Sequence, residues 1–216
     1  MLSITVIIII LTVIVSITAF KNEKIMNDLI FYPPAVSQQN QYYRFITCGF
    51  IHADVAHLAF NMLSLYFFGR FVESAFEDLF GIYGKWVYLL MYVTALFVSL
   101  LPTFSKNRDN YQYRSLGASG AVSAVIFAGL ILTPTIGIYI FFIPIAIPGF
   151  IFAPLYLIIS ALLDKKGGGN INHSAHIWGS IYGLAFVIIA CRFIDYPVIT
   201  NMFQEIKFYM MSKGWI

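Results

Sequence analysis

Long apolar runs, more than any other feature, limit what this chain can become. A helix needs about 20 mostly apolar residues to cross the hydrocarbon core of a bilayer. Six stretches approach that length: Leu2–Phe20, His57–Phe76, Lys85–Thr103, Gly117–Thr133, Ile138–Leu163 and Ala175–Ile194. Hydrophobic residues make up 60% of the chain and charged residues 11%, whereas soluble domains hold about 45–50% and about 25%. The sequence therefore predicts an all-α, multi-pass membrane protein with six transmembrane helices in one domain, 1–216. The first run has no basic residues ahead of it and no small-residue cleavage pattern behind it, so it reads as a retained helix.

Two of the runs are irregular. The fourth is short for a span, which predicts a start below the membrane surface with protein packed around it. The fifth carries Pro144, Pro148 and Pro154. Each proline removes a backbone donor and crowds the preceding turn, so this helix is expected to be kinked or broken. The connection from Lys21 to Ala56 is long, aromatic and proline-bearing, as loops that are functional or that pack on their own side chains tend to be. Cys48 and Cys191 fall toward opposite faces in this topology, which argues against a disulfide. The net charge of +3 is scattered among loops and gives no basis for binding nucleic acid.

Alternating spans put the first, third and fifth connections on one side. All four histidines, His52, His57, His173 and His176, then share a face with Ser119. Charged groups held in the membrane cost roughly 2.5–3.5 kcal/mol and are usually functional. His57 and Asn61 are four residues apart and project from one face of the second helix. Gly120, Ala124 and Ala128 form a small-residue stripe on the fourth helix, and Ala175, Gly179 and Gly183 another on the sixth. Such stripes let backbones approach closely, so the fourth helix should pack on the sixth and bring Ser119 to His176. A serine becomes a nucleophile when a base takes its proton, and histidine suits that task near neutrality. The Ser119 amide at a helix N-terminus, with His57 and Asn61, could serve a developing oxyanion. No acidic residue stands where it could orient His176, so a dyad is the economical reading, with neither metal nor cofactor.

"HLAFN" (His57 to Asn61), "GASG" (Gly117 to Gly120) and "AHIWGSIYG" (Ala175 to Gly183), in that order, resemble the rhomboid intramembrane serine proteases over about residues 42–193. The "GRFVE" stretch with Glu73 also fits. The resemblance implies a six-helix bundle in which Ser119 is the nucleophile, His176 the general base, and His57 and Asn61 help form the oxyanion hole. It implies a first connection that lies partly in the membrane, a mobile fifth helix that admits substrate, and transmembrane proteins cleaved in the lipid bilayer. Nothing in the pattern sets an oligomeric state. Three positions depart from the family pattern: Tyr43-Arg44 where Trp-Arg is usual, Ser123 where an aromatic often stacks on the histidine, and the bulky Trp178 near the base.

Eight Lys and Arg side chains fall on the active face (Lys21, Lys24, Arg44, Lys106, Arg108, Arg114, Lys165, Lys166) and five on the other (Arg70, Lys85, Arg192, Lys207, Lys213). Counting charges would turn the active face to the cytoplasm. The resemblance implies the opposite, a bacterial inner-membrane protein with its site facing outside, and long loops with structural arginines are poor reporters. Two further readings stand beside the protease. A histidine-lined metal or proton site could use His52, His57, His173 and His176, although no cysteine or carboxylate joins them at ligand spacing. A catalytically silent relative could bind membrane helices without cutting them.

Overall fold

The computed structural model describes residues 3–139, 145–167, 169 and 171–216. In chain order, α1 (Ile4–Phe20) leads into a first connection containing the short helices α2 (Glu23–Leu29), α3 (Pro33–Gln39) and α4 (Arg44–Thr47). Next, α5 (Val55–Ser64) continues through one wide turn at Leu65–Gly69 into α6 (Arg70–Phe80). Then come α7 (Gly84–Val98), α8 (Leu101–Asn107) and α9 (Ser119–Leu132). The strands β1 (Gly137–Tyr139) and β2 (Ala146–Pro148) precede α10 (Gly149–Lys166), α11 (His173–Arg192) and α12 (Val198–Ser212). Among the described residues two helical stretches are long and apolar enough to cross a membrane, Val55–Asn107 and His173–Arg192, while α1 and α9 are shorter apolar helices.

The centre of the bundle is α9. At 1.5 Å per residue its 14 residues span about 21 Å, well short of the roughly 30 Å hydrocarbon core. It can be so short because protein covers it: from Gly120 to Ile131 nearly every side chain is buried. Its largest contact is with α11. A Cβ on Gly179 would stand 2.0 Å from the Gly120 carbonyl oxygen, and one on Gly183 2.1 Å from that of Ala124. The two small-residue stripes thus interlock backbone to backbone.

A carboxylate fastens α1 to α6. Glu73, 2% exposed, accepts the Ile4 N–H at 2.7 Å, the Thr5 N–H at 3.1 Å and the Ser3 hydroxyl. The first turn of a helix leaves its amides without intrahelical partners, and Glu73 supplies them inside the bundle. The first connection packs on itself: Phe31, Val36, Phe45 and Cys48 form a buried cluster with Leu100 and Ala175. The Phe45 ring lies 5.0 Å from Phe31 and 4.7 Å from Phe97.

Three features differ from the sequence expectations. The fifth run is not one helix from Ile138. Strands β1 and β2 form an antiparallel hairpin, Gly137 opposite Pro148, so the chain is mostly helical and not wholly α. Helix α10 begins only at Gly149, because Pro148 lacks the N–H that an earlier start would use. Pro154 lies within α10, and Pro144 lies outside the described residues. The third run breaks after Val98 and resumes as α8, whose first turn contains Pro102; proline is tolerated there and disrupts a helix that continues through it. The third feature is α12, which no apolar run announced. Its Glu205 accepts the Thr135 hydroxyl and its Tyr209 ring lies 5.8 Å from Phe150. Thr135 follows α9 and Phe150 opens α10, so α12 runs across the end of the bundle remote from Ser119.

Candidate active site

Ser119 opens α9, and the residues before it are strapped to the first connection. Ser115 and Phe31 exchange backbone bonds at 2.9 and 3.1 Å, the Gly117 N–H donates to the Cys48 carbonyl at 2.9 Å, and the Ala118 N–H donates to His52 Nε2 at 3.5 Å. Gly117 has φ +108°, a region that favours glycine. A Cβ there would also stand 2.7 Å from Cε1 of the His57 ring. Only glycine satisfies the dihedral and the imidazole together.

His176 comes from the first turns of α11. The contacts at Gly179 and Gly183 fix its depth, and its Nε2 lies 2.7 Å from Ser119 Oγ. The head of α11 is set by Asn172, whose side-chain oxygen accepts the Ala175 N–H at 3.0 Å and the Thr103 hydroxyl at 3.1 Å. The Asn172 amide in turn donates to Ser115 Oγ at 3.3 Å. One side chain therefore ties the histidine helix to the segment that leads into Ser119. The sequence reading missed Asn172, although an Asn immediately before an apolar helix is a capping signal.

His57 and Asn61 line the same space from α5. Asp54 caps that helix, accepting the His57 N–H at 2.7 Å. The Ala53 N–H donates to His57 Nδ1 at 3.5 Å, so the ring hydrogen belongs on Nε2, the atom 3.0 Å from where a Gly117 Cβ would stand. Asn61 is 3% exposed and donates one amide hydrogen to the His57 carbonyl at 3.0 Å. The structure brings Ser119 and His176 into direct contact, sets the His57 ring against Gly117, and leaves Asn61 one turn along, bonded to its own helix. The histidines meet in pairs, His52 with His57 at 4.9 Å and His173 with His176 at 6.0 Å. Among the described residues no group of three or more His, Cys, Asp or Glu is arranged to hold a metal ion. A cavity of about 410 Å³ opens beside His173, bounded also by Thr103, Lys106, Tyr113, Asp164 and Asn172.

At the first atypical position Tyr43 is 48% exposed, its ring centroid 5.5 Å from the Arg44 guanidinium carbon. Arg44 is buried, donating to the carbonyls of Asn27 at 2.8 Å and Ile30 at 2.6 Å and to the Gln41 side chain at 2.5 Å. Ser123 meets the Tyr156 hydroxyl of α10 at 3.2 Å, so an aromatic arrives from a neighbouring helix. Trp178 is 45% exposed and turns out of the bundle.

The Rhomboid domain family model matches residues 39–193. The chain belongs to the rhomboid family. Among its relatives, RHOMBOID-like protein 12, mitochondrial, of Arabidopsis thaliana is 31% identical over 144 residues, 62% of this chain and 42% of the relative. Rhomboid protease GluP of Bacillus subtilis is 32% identical over 153 residues, 67% of this chain and 25% of the relative. Rhomboid protease GlpG of Haemophilus influenzae is 26% identical over 164 residues, 74% of this chain and 76% of the relative. The chain thus spans only two fifths of the plant relative's length and a quarter of the Bacillus one. Rhomboid membership makes it an integral membrane protein of a protease family. The plant relatives carry mitochondrial and chloroplastic names, which do not support the expectation of a bacterial inner membrane.

Proposed function

We propose that this rhomboid is an active serine endopeptidase that cleaves transmembrane proteins in or near their membrane segments. The observation that carries the reading is the 2.7 Å contact between Ser119 Oγ and His176 Nε2 at the start of a buried helix. Six spans, formed by α1, α5 with α6, α7, α9, α10 and α11 in a single domain, would house it.

In this reading His176 Nε2 takes the hydroxyl proton as Ser119 Oγ attacks the scissile carbonyl carbon. The carbonyl oxygen gains the negative charge. Donors for it are the Ser119 N–H at the positive end of α9, His57 Nε2–H, and the Asn61 amide hydrogen not committed to the His57 carbonyl. His176 then returns the proton to the departing amine. Water, entering through the cavity beside His173, attacks the acyl-serine with His176 again as base. Each step needs only a proton acceptor, an oxygen nucleophile and hydrogen-bond donors from this chain. A helical substrate has to unwind locally first, because its carbonyls are bonded within its own helix.

A fluorophosphonate probe tests the assignment. It should attach to Ser119 Oγ, and His176→Ala should remove the labelling by deleting the base. Attachment to another residue, or equal labelling of Ser119 without His176, would return the seam to a packing role only. Asn61→Ala should slow turnover without abolishing it, by at most about 2.7–4 kcal/mol, since a lone oxyanion donor contributes that much and shared donors less.

A further inference from the structure

His52 takes no part in the chemistry above, yet it is fully buried, at 0% exposure, beside the nucleophile turn. Both ring nitrogens are engaged. Nε2 receives the Ala118 N–H at 3.5 Å and so acts as an acceptor without a hydrogen. Nδ1, 3.0 Å from Ser16 Oγ, must then carry the hydrogen and donate it. Ser16 passes its own hydroxyl hydrogen to the Phe50 carbonyl at 2.9 Å. Donors and acceptors alternate without conflict along the chain from Ala118 through His52 and Ser16 to Phe50, which is satisfied by one tautomer alone.

We infer that His52 is a positioning residue: as the neutral Nδ1–H tautomer it holds the Ala118 amide, and with it the Gly117–Ser119 turn, against α1. Ala118 is itself fully buried, and an unpaired buried amide costs about 1–3 kcal/mol. Removing the acceptor therefore frees the turn to seek another arrangement, and Ser119 moves with it. Small displacements matter here, since roughly 1 Å at a reacting atom can cost about 100-fold in rate.

The titratable groups facing His52 are His57, whose ring meets it edge-on at 73°, and Asp54. Packed elements add the Ser16 hydroxyl from α1 and backbone from the nucleophile turn. Burial first, and then His57, push the His52 pKa down to about 4, against the opposing effect of Asp54. Its folded value lies below its unfolded one, so its contribution is fully present above about 6.5 and is lost as pH falls through about 4. Protonation places a hydrogen on Nε2 facing the Ala118 N–H, two donors head to head.

The activity arm of the test rests on the protease reading; a spectroscopic arm does not. In full-length Ser119→Ala protein with ¹⁵N-labelled histidine, the signal that His52→Gln removes should show a bare Nε2 and a protonated Nδ1 at pH 7, staying neutral to about pH 5. In the active protein, His52→Leu should lower the fluorophosphonate labelling rate of Ser119 roughly 10- to 100-fold. His52→Gln, which offers an amide oxygen near the place of Nε2, should restore most of it and lose the acid-dependent step. A purely structural role would lower the melting temperature and leave the labelling rate of the folded fraction unchanged. That result, or an Nε2–H tautomer, overturns the inference. If His52→Leu does not fold, the glutamine variant and the tautomer decide. If the parent protein is not labelled at all, the protease reading falls while the tautomer still decides on His52.

Discussion

Helix α9 has a neighbour on each side, and the two are attached by opposite means. Toward α11 the backbones touch: a methyl group added at Gly179 or Gly183 would meet a carbonyl oxygen near 2 Å. Toward α10 the contact is made by side-chain ends, the Ser123–Tyr156 hydroxyl pair at 3.2 Å and the Phe127–Tyr156 rings at 5.6 Å. The outer face of α10 exposes Leu155, Ile158, Ile159 and Leu162. Backbone contacts fix atoms to within tenths of an ångström, whereas side chains can change rotamer at small cost. The side that sets the distance from Ser119 to His176 is the side that cannot yield. The side that can yield is the one through which the proposed substrate would enter.

The sharpest way to break this contrast is a pair of glycine substitutions. Gly179→Val drives a branched side chain into the Gly120 backbone and should cost about 3 kcal/mol or more, removing the thermal transition and Ser119 labelling together. Gly149→Ala, at the base of α10, meets Leu130 Cδ2 at 2.7 Å, the end of a flexible side chain, and the Pro134 carbonyl oxygen only at 3.0 Å, against 2.0 Å at Gly179. Its effect on melting temperature should be much smaller. Equal losses in the two variants would erase the distinction between the sides. Asn172→Ala comes next: it deletes an N-cap, typically about 1 kcal/mol, and severs the ties to Thr103 and Ser115. Melting temperature should fall modestly and labelling several-fold; unchanged labelling would show that the head of α11 is held by the glycines alone.

The smallest effect, and the only gain, is expected on the yielding side. Tyr156→Phe removes the hydroxyl that pairs with Ser123 of α9 and with Ser160 of its own helix, each pairing worth about 0.5–1.5 kcal/mol. Cleavage of a single-span substrate should rise about two- to tenfold while that of a soluble substrate stays level. An equal rise for both would separate α10 from substrate entry. The rings at the base of this helix do not act as one group, since Phe150 faces Tyr209 at 5.8 Å and Phe152 faces Tyr156 at 5.7 Å. Truncating Phe150 tests the brace from α12, and truncating Phe152 tests the contact with α9.

What the sequence disclosed follows the same division. The seam was legible because close backbone approach demands small residues at a fixed period, and that period is written in Gly120, Ala124, Gly179 and Gly183. Three of the candidate site residues, His57, Ser119 and His176, were read from their places at helix entrances, and Asn61 from its four-residue spacing to His57. The hairpin before α10 was not legible, because an apolar run of that length reads equally as helix until a proline decides where it starts. Helix α12 escaped because Asn201, Gln204, Glu205 and Lys207 interrupt its apolar face, as suits a helix lying across a bundle end. The role of Arg44 was beyond any count of charges. Sealed against three loop oxygens, it reports on how the first connection is folded and not on which side of the membrane that connection lies.

The carboxylate that caps α1 has a consequence for the order of assembly. Ser3 and Glu73 are 70 residues apart, so during synthesis α1 is complete long before its cap exists. In that interval the Ile4 and Thr5 amides lack their carboxylate partner, and hydrocarbon offers none, at several kcal/mol for each unsatisfied group. Water near the headgroups is the only substitute. The Ile4 and Thr5 amides therefore stay wet until the first turn of α6 delivers Glu73. Glu73 thus makes the capping of α1 wait on the arrival of α6, and the two helices can bury their shared polar groups only together.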